Sequence, residues 1–290
     1  MELIERAKAG GYAVGYFESW NLESLQGVMD AAEETRSPIL VGFNGEFLSH
    51  AGRRAEERLA LYAAMGLAAA ESAAVPCGLI FNECSNDAWI NRAIDMGFSQ
   101  VMPDDPGADP AEFRRRVAAI VRRAHGKNVS VEAEVGHLPT GAAGVLEDGK
   151  QVMTDPDEAA QFVKETGIDV MAVSIGNVHI LLEGRQALDL DCLARIRKRV
   201  SVPFDLHGGS GIPAESLREV IRLGVSKVCY GTYVKQRYID AIRGSLARNE
   251  TNPHKRLGYG GDEDMMVAGR LAVKSAVLER IGGLGCCGKG

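Results

Sequence analysis

The 290 residues, 46% hydrophobic and 25% charged, suffice for a large core and lie near the size of about 250 residues common for a single α/β barrel. A net charge of -6, with Lys and Arg scattered among acids, gives no basic face for nucleic acid. No run approaches the ~18 apolar residues of a membrane span, and the opening MELIERAKAG carries charge where a signal peptide needs an apolar centre.

These features predict a cytoplasmic protein with no nucleic-acid or membrane partner. Six cysteines allow three disulfides, but a chain this long needs no staples, and reduced thiols are expected. Cys286 and Cys287 lie in a Gly-rich tail (GGLGCCGKG) that reads as an exposed, flexible end.

In chain order, short apolar runs alternate with longer amphipathic stretches, the pattern of βα units that build a parallel sheet. The expected strands are Ala13 to Phe17, Ile39 to Phe43, Gly78 to Asn82, Gln100 to Met102, Val129 to Glu134, Val170 to Ile175, Pro203 to Leu206 and Lys227 to Tyr230. Eight strands, each followed by a helical stretch, predict a closed (β/α)₈ TIM barrel with extra N- and C-terminal helices. Asp155-Pro156 and Leu188-Asp189-Leu190 read as helix starts, and Gly97, Gly167 and Gly224 as helix ends. With no linker or shift in composition, residues 1–290 read as one domain. The stretch Gly136 to Thr154 lacks periodicity and follows the fifth strand, where a lid over the site is expected.

Barrel chemistry sits at the C-terminal ends of the strands. The polar residues there are Asn82 and Glu83, Glu132 and Glu134, His179, and His207. Two histidines and a carboxylate from different strands can form a metal site with one position open to substrate. Glu132 and Glu134, two apart, share one side of their strand. Gly208, Gly209 and Ser210 after strand seven, with Gly231 and Thr232 after strand eight, resemble a phosphate cradle, in which backbone N–H groups and helix starts face the anion.

The motifs VEAEVG (131–136), TDPDEA (154–159), SIGNVH (174–179), LHGGSGIP (206–213), GVSKVCYGT (224–232) and the tail GGLGCCGKG resemble those of the class II fructose-bisphosphate and tagatose-bisphosphate aldolases over nearly the whole chain. The resemblance implies zinc, or another divalent metal such as Fe²⁺, Mn²⁺ or Co²⁺, that polarises the carbonyl of a phosphorylated ketose and stabilises an enediolate. It implies His179 and His207 as metal ligands, and Lys227, Cys229 and the two glycine-rich loops around the substrate. Glu134 matches an acid that supports the metal site or serves as an alternative ligand. The resemblance also implies a small phosphorylated sugar or keto acid as partner and a homodimer or homotetramer.

The sequence departs from the family where a third histidine and a catalytic aspartate are expected. Glu83 stands at the histidine and Asn82 at the aspartate. Glu83 can still bind metal, since a His₂Glu set is a known zinc site and also resembles the iron facial triad. Asn82 cannot move the aspartate's proton, because an amide has no useful pKa. Glu18, Asn44, Cys229 and Tyr233 replace further family residues, so the substrate half of the site is rebuilt. Glu147, in the lid stretch, and Glu18 are the candidates for proton transfer. The expected activity is a metal-dependent aldolase or lyase. A metal-dependent epimerase, isomerase or decarboxylase, or a non-catalytic binding protein, are the alternatives.

Overall fold

In the computed structural model, residues 1–136, 138, 152–178 and 187–290 are described. The expected lid stretch, with Glu147, lies almost wholly outside them, and so does His179.

Eight parallel strands close into a barrel in the order β1 to β8, with β1 pairing β8. They are β1 (Val14–Glu18), β2 (Ile39–Asn44), β3 (Cys77–Cys84), β4 (Gln100–Pro103), β5 (Ser130–Val135), β6 (Val170–Val173), β7 (Phe204–Leu206) and β8 (Val225–Tyr230). Nearly every strand residue is buried, because helices cover the outside and side chains fill the inside, so the strands read as apolar runs rather than alternating ones.

The helices are α1 (Glu2–Gly10), α2 (Leu22–Thr35), α3 (Gly45–Ser49), α4 (Leu59–Ser72), α5 (Asp87–Asp95), α6 (Pro110–His125), α7 (Pro156–Thr166), α8 (Leu190–Arg199), α9 (Ala214–Arg222), α10 (Thr232–Leu246), α11 (Pro253–Arg256) and α12 (Met265–Ile281). The helix starts read from the sequence hold: Asp155 accepts from the Asp157 and Glu158 amides, and Asp189 from that of Cys192. Gly167 ends α7 in the left-handed conformation, φ 73°.

α1 precedes the barrel, and α12 packs on both α10 and α2, bringing the end of the chain against its beginning. Arg270 of α12 holds Asp30 of α2 through two bonds of 2.6 and 2.7 Å and donates to Gln26 at 3.0 Å. The Gly-rich tail is not a loose end: the amides of Gly288 and Gly290 donate to the carbonyls of Thr35 and Arg36, and Cys286 is fully buried. Its glycines let the backbone lie close to the C-terminal end of α2. All six cysteines are free thiols.

Candidate metal and substrate site

The barrel interior is polar where such barrels are usually filled with branched aliphatic side chains. Fully buried Lys227 donates to Glu132 Oε2 at 2.6 Å and Asp205 Oδ2 at 2.9 Å. Gln100 donates to the same Glu132 oxygen at 2.8 Å, and the Cys229 thiol lies 3.0 Å from Asp205 Oδ2. Burial opposes charge on Asp205, but the Lys227 ammonium overcomes it and holds the carboxyl well below its usual range. Glu132 is pushed up, first by burial and then by the charge of Asp205. Lys227, expected near the phosphate loops, is thus committed inside the barrel. One strand residue lies between Lys227 and Cys229, so both face inward, and the lysine sits a layer deeper.

His207 links this interior to the rim. Its Nε2 lies 3.0 Å from Asp205 Oδ2 and 3.3 Å from Glu132 Oε1, while its Nδ1 lies 2.7 Å from Glu83 Oε1. Burial alone would suppress its charge, yet the anionic neighbours, Asp205 among them, raise its pKa well above the ordinary value. Asn177 fixes the loop, donating to the carbonyls of Val173 and His207 at 3.2 and 3.1 Å.

Glu83 reaches His207 from an unusual backbone. It sits at φ 49°, left-handed for a non-glycine residue, where the β3–β4 register shifts between Phe81 and Cys84. Asn44 of β2 donates to its other oxygen at 2.6 Å. Strain of this kind persists where the surroundings impose it, and it gathers at functional sites.

A cavity of about 440 Å³ opens above these residues, and its lining includes Tyr16, Glu18, Asn44, Asn82, Glu83 and His207. Gly208, Ser210, Cys229, Gly231, Thr232 and Lys235 also line it. Of the expected cradle, Gly209 lies apart, buried against Val228 and Tyr230. Gly208 has φ 72°, and a Cβ there would collide with the Val178 carbonyl. Ser210 Oγ accepts from the Tyr233 amide at 3.3 Å, joining the loop after β7 to the start of α10. Glu18 accepts from Lys235 at 2.6 Å and packs against Gly231, where a Cβ would meet its Oε2. Lys235 was not foreseen; its ammonium lies 4.3 Å from the centre of the Phe47 ring. Glu134 accepts from the Leu138 amide at 3.2 Å and lines a neighbouring depression that shares Asp104 with the main cavity.

Two donor sets on His207 are candidates for a divalent metal. The inner one, Asp205, His207 and Cys229, has ligand atoms within 4.8 Å of one another, and Asp205 Oδ1 has no partner among the described residues. It already holds the Lys227 ammonium as its cation, however. The outer set, His207 Nδ1 with the Glu83 carboxylate, faces the cavity. It joins imidazole nitrogen to carboxylate oxygen, a combination suited to zinc and similar ions.

The closed eight-stranded parallel barrel, with a polar cavity at its strand ends, is that of a (β/α)₈ enzyme fold. The sequence model described as "Fructose-bisphosphate aldolase class-II" matches residues 1–289, and the chain belongs to that family, whose aldolases are carbon–carbon lyases. The chain is 33% identical over 290 residues to the fructose-bisphosphate aldolase of Geobacillus stearothermophilus, covering 99% of this chain and 96% of that one. In structure it resembles the YdjI aldolase from Escherichia coli K12, with TM-score 0.81, 30% identity and coverage of 99% and 97%. It also resembles a putative fructose-1,6-biphosphate aldolase from Coccidioides immitis, with TM-score 0.83, 26% identity and coverage of 99% and 96%. Among the described residues, no helix is long and apolar enough to cross a membrane.

Proposed function

We propose that this protein is a metal-dependent aldolase acting on a phosphorylated ketose or related keto compound, with Glu83, His179 and His207 holding the metal. The observation that carries the reading is the Glu83 carboxylate, held at φ 49° with one oxygen against His207 Nδ1 and the other fixed by Asn44. A decayed site would have no reason to keep a strained acid aimed at His207. A divalent ion held by these residues, zinc or Fe²⁺, Mn²⁺ or Co²⁺ in its place, would supply Lewis-acid polarisation of the substrate carbonyl and offset the negative charge that develops as the C–C bond breaks.

The chain's own residues do the rest. Gly208 and Ser210 after β7, with Gly231 and Thr232 at the start of α10, offer backbone amides, hydroxyls and a helix N-terminus to the phosphate. Asn82 can orient a substrate hydroxyl but cannot move its proton. Glu18, within the cavity and bonded to Lys235, takes that part, and the lysine can compensate charge as the proton comes and goes. Glu147 is the alternative proton carrier.

Metal analysis of wild type, Glu83→Ala and His179→Ala tests the site. About one equivalent in wild type and loss in both variants is expected; a metal-free wild type that cannot be reconstituted would overturn the reading. Product analysis with ketose phosphates then separates cleavage, which yields a three-carbon phosphate, from isomerisation, which yields none.

A further inference from the structure

Among the described residues the Tyr16 hydroxyl and Asn82 Oδ1 are buried without a hydrogen-bond partner, and both residues line the cavity. The residues are 2% and 3% exposed. Tyr16 lies two residues before Glu18 on β1 and pairs in register with Cys229 of β8, while Asn82 pairs with Asn44 of β2 and directly precedes Glu83. Both line the same cavity as Glu83 and His207.

A buried phenol that finds no acceptor in the protein is costlier to the fold than a phenylalanine in the same place. A phenol is protonated near neutral pH, so the Tyr16 hydroxyl is a donor. Asn82 Oδ1 is an acceptor. A single aliphatic hydroxyl can satisfy both at once, accepting from one and donating to the other.

We infer that Tyr16 and Asn82 select the substrate by its hydroxyl: a hydroxyl on the carbon next to the ketose carbonyl accepts from Tyr16 Oη and donates to Asn82 Oδ1. Tyr16 is thereby a substrate-contacting specificity residue. The inference rests on the phosphorylated-ketose reading above. It adds that the site distinguishes a hydroxyketone from the corresponding deoxy ketone by a group other than the metal.

The test is calorimetric titration of the zinc-loaded protein with dihydroxyacetone phosphate and with hydroxyacetone phosphate, which lacks the one hydroxyl. The metal itself can favour the hydroxylated ligand, so the informative quantity is the ratio of the two affinities in wild type against that in Tyr16→Phe. Tyr16→Phe is expected to weaken dihydroxyacetone phosphate about 10-fold, to leave hydroxyacetone phosphate within about 2-fold, and to raise the Tm of the ligand-free protein. An unchanged ratio, or a lower Tm revealing a structural partner for the hydroxyl, would overturn the inference while the aldolase reading stands. A wild-type protein that binds neither ketose phosphate overturns the phosphorylated-ketose reading and the inference together.

Discussion

Oε1 of Glu83 lies 2.7 Å from Nδ1 of His207, and it gets there only through a left-handed backbone at the β3 bulge. Glycine adopts that backbone freely and alanine does not. Glu83→Gly is expected to lose metal affinity by at least ~100-fold while stabilising the metal-free fold by up to about 1 kcal/mol. Metal titration and thermal melts of the metal-free proteins check the two halves separately. A variant that loses both metal and stability would show that the carboxylate is structural.

Glu18 and Lys235 form the polar pair in the outer part of the cavity. Glu18→Gln keeps the size and removes the titrating group, so turnover is expected to fall by roughly 10²–10⁴-fold with metal content unchanged. Steady-state kinetics with parallel metal analysis decides it. A variant with full turnover moves the proton-transfer role to another group.

Lys227 is the ammonium bonded to both Glu132 and Asp205, which His207 also meets from the rim, and the lysine and both acids are fully buried. Lys227→Met removes that ammonium from between two buried carboxyls. A loss of about 3–5 kcal/mol in unfolding free energy is expected, measurable by urea denaturation. Adding Glu132→Gln to this variant should recover part of the loss, because one of the stranded acids becomes a neutral amide.

Asp264 caps α12, accepting from the amides of Gly258, Gly260 and Met266 at 2.8 to 3.0 Å. Burial would raise its pKa, but these donors outweigh burial and lower it below 3.8. Because the folded value lies below the unfolded one, the contribution is present above the unfolded pKa and disappears as pH falls through the folded value. Asp264→Ala should cost about 1–2 kcal/mol at pH 7, and less near pH 3. Melting curves of both proteins at the two pH values give the comparison.

Of the six thiols, Cys287 is exposed and Cys77 half-buried, and the other four are buried. Burial pushes Cys77 up to about 12 and Cys84 and Cys286 to about 11. One fast-reacting thiol per native chain is expected in a titration with an aromatic disulfide at pH 8, and six after denaturation. Cys287→Ser should abolish the fast phase.

The barrel was legible because its physics is repetitive. Strands covered on both faces give apolar runs of Val, Ile and Phe, and all eight fall where those runs lie, with ends differing by one or two residues. β3 outran the expectation because it continues through Glu83 and Cys84, past the expected end at Asn82. Glu83 and His207 were legible as candidates because polar residues at barrel strand ends are few, and the structure brings the two together. Tyr16 was missed because an aromatic residue inside an apolar run reads as core; its place two residues before Glu18 was the available signal. Lys235 was missed because a lysine one turn into a helix is ordinarily solvated. Lys227 was misplaced because adjacency to a loop in sequence says little about depth in a barrel, where the strand period sets it. The tail misled for the reverse reason: its glycines were read as looseness, when they let the backbone dock.

The bond between Asp30 and Arg270 joins residues 240 positions apart, and β1 completes its ladder only when β8 arrives. The seam of the barrel is therefore sewn last, since the cost of bringing such distant segments together must be met before either contact rewards it. Until then β1 presents an open edge, and a partly made chain carries a sticky strand that another copy can pair with. Misassembly in this protein should begin at that seam, and its aggregates should form during refolding rather than from the finished barrel.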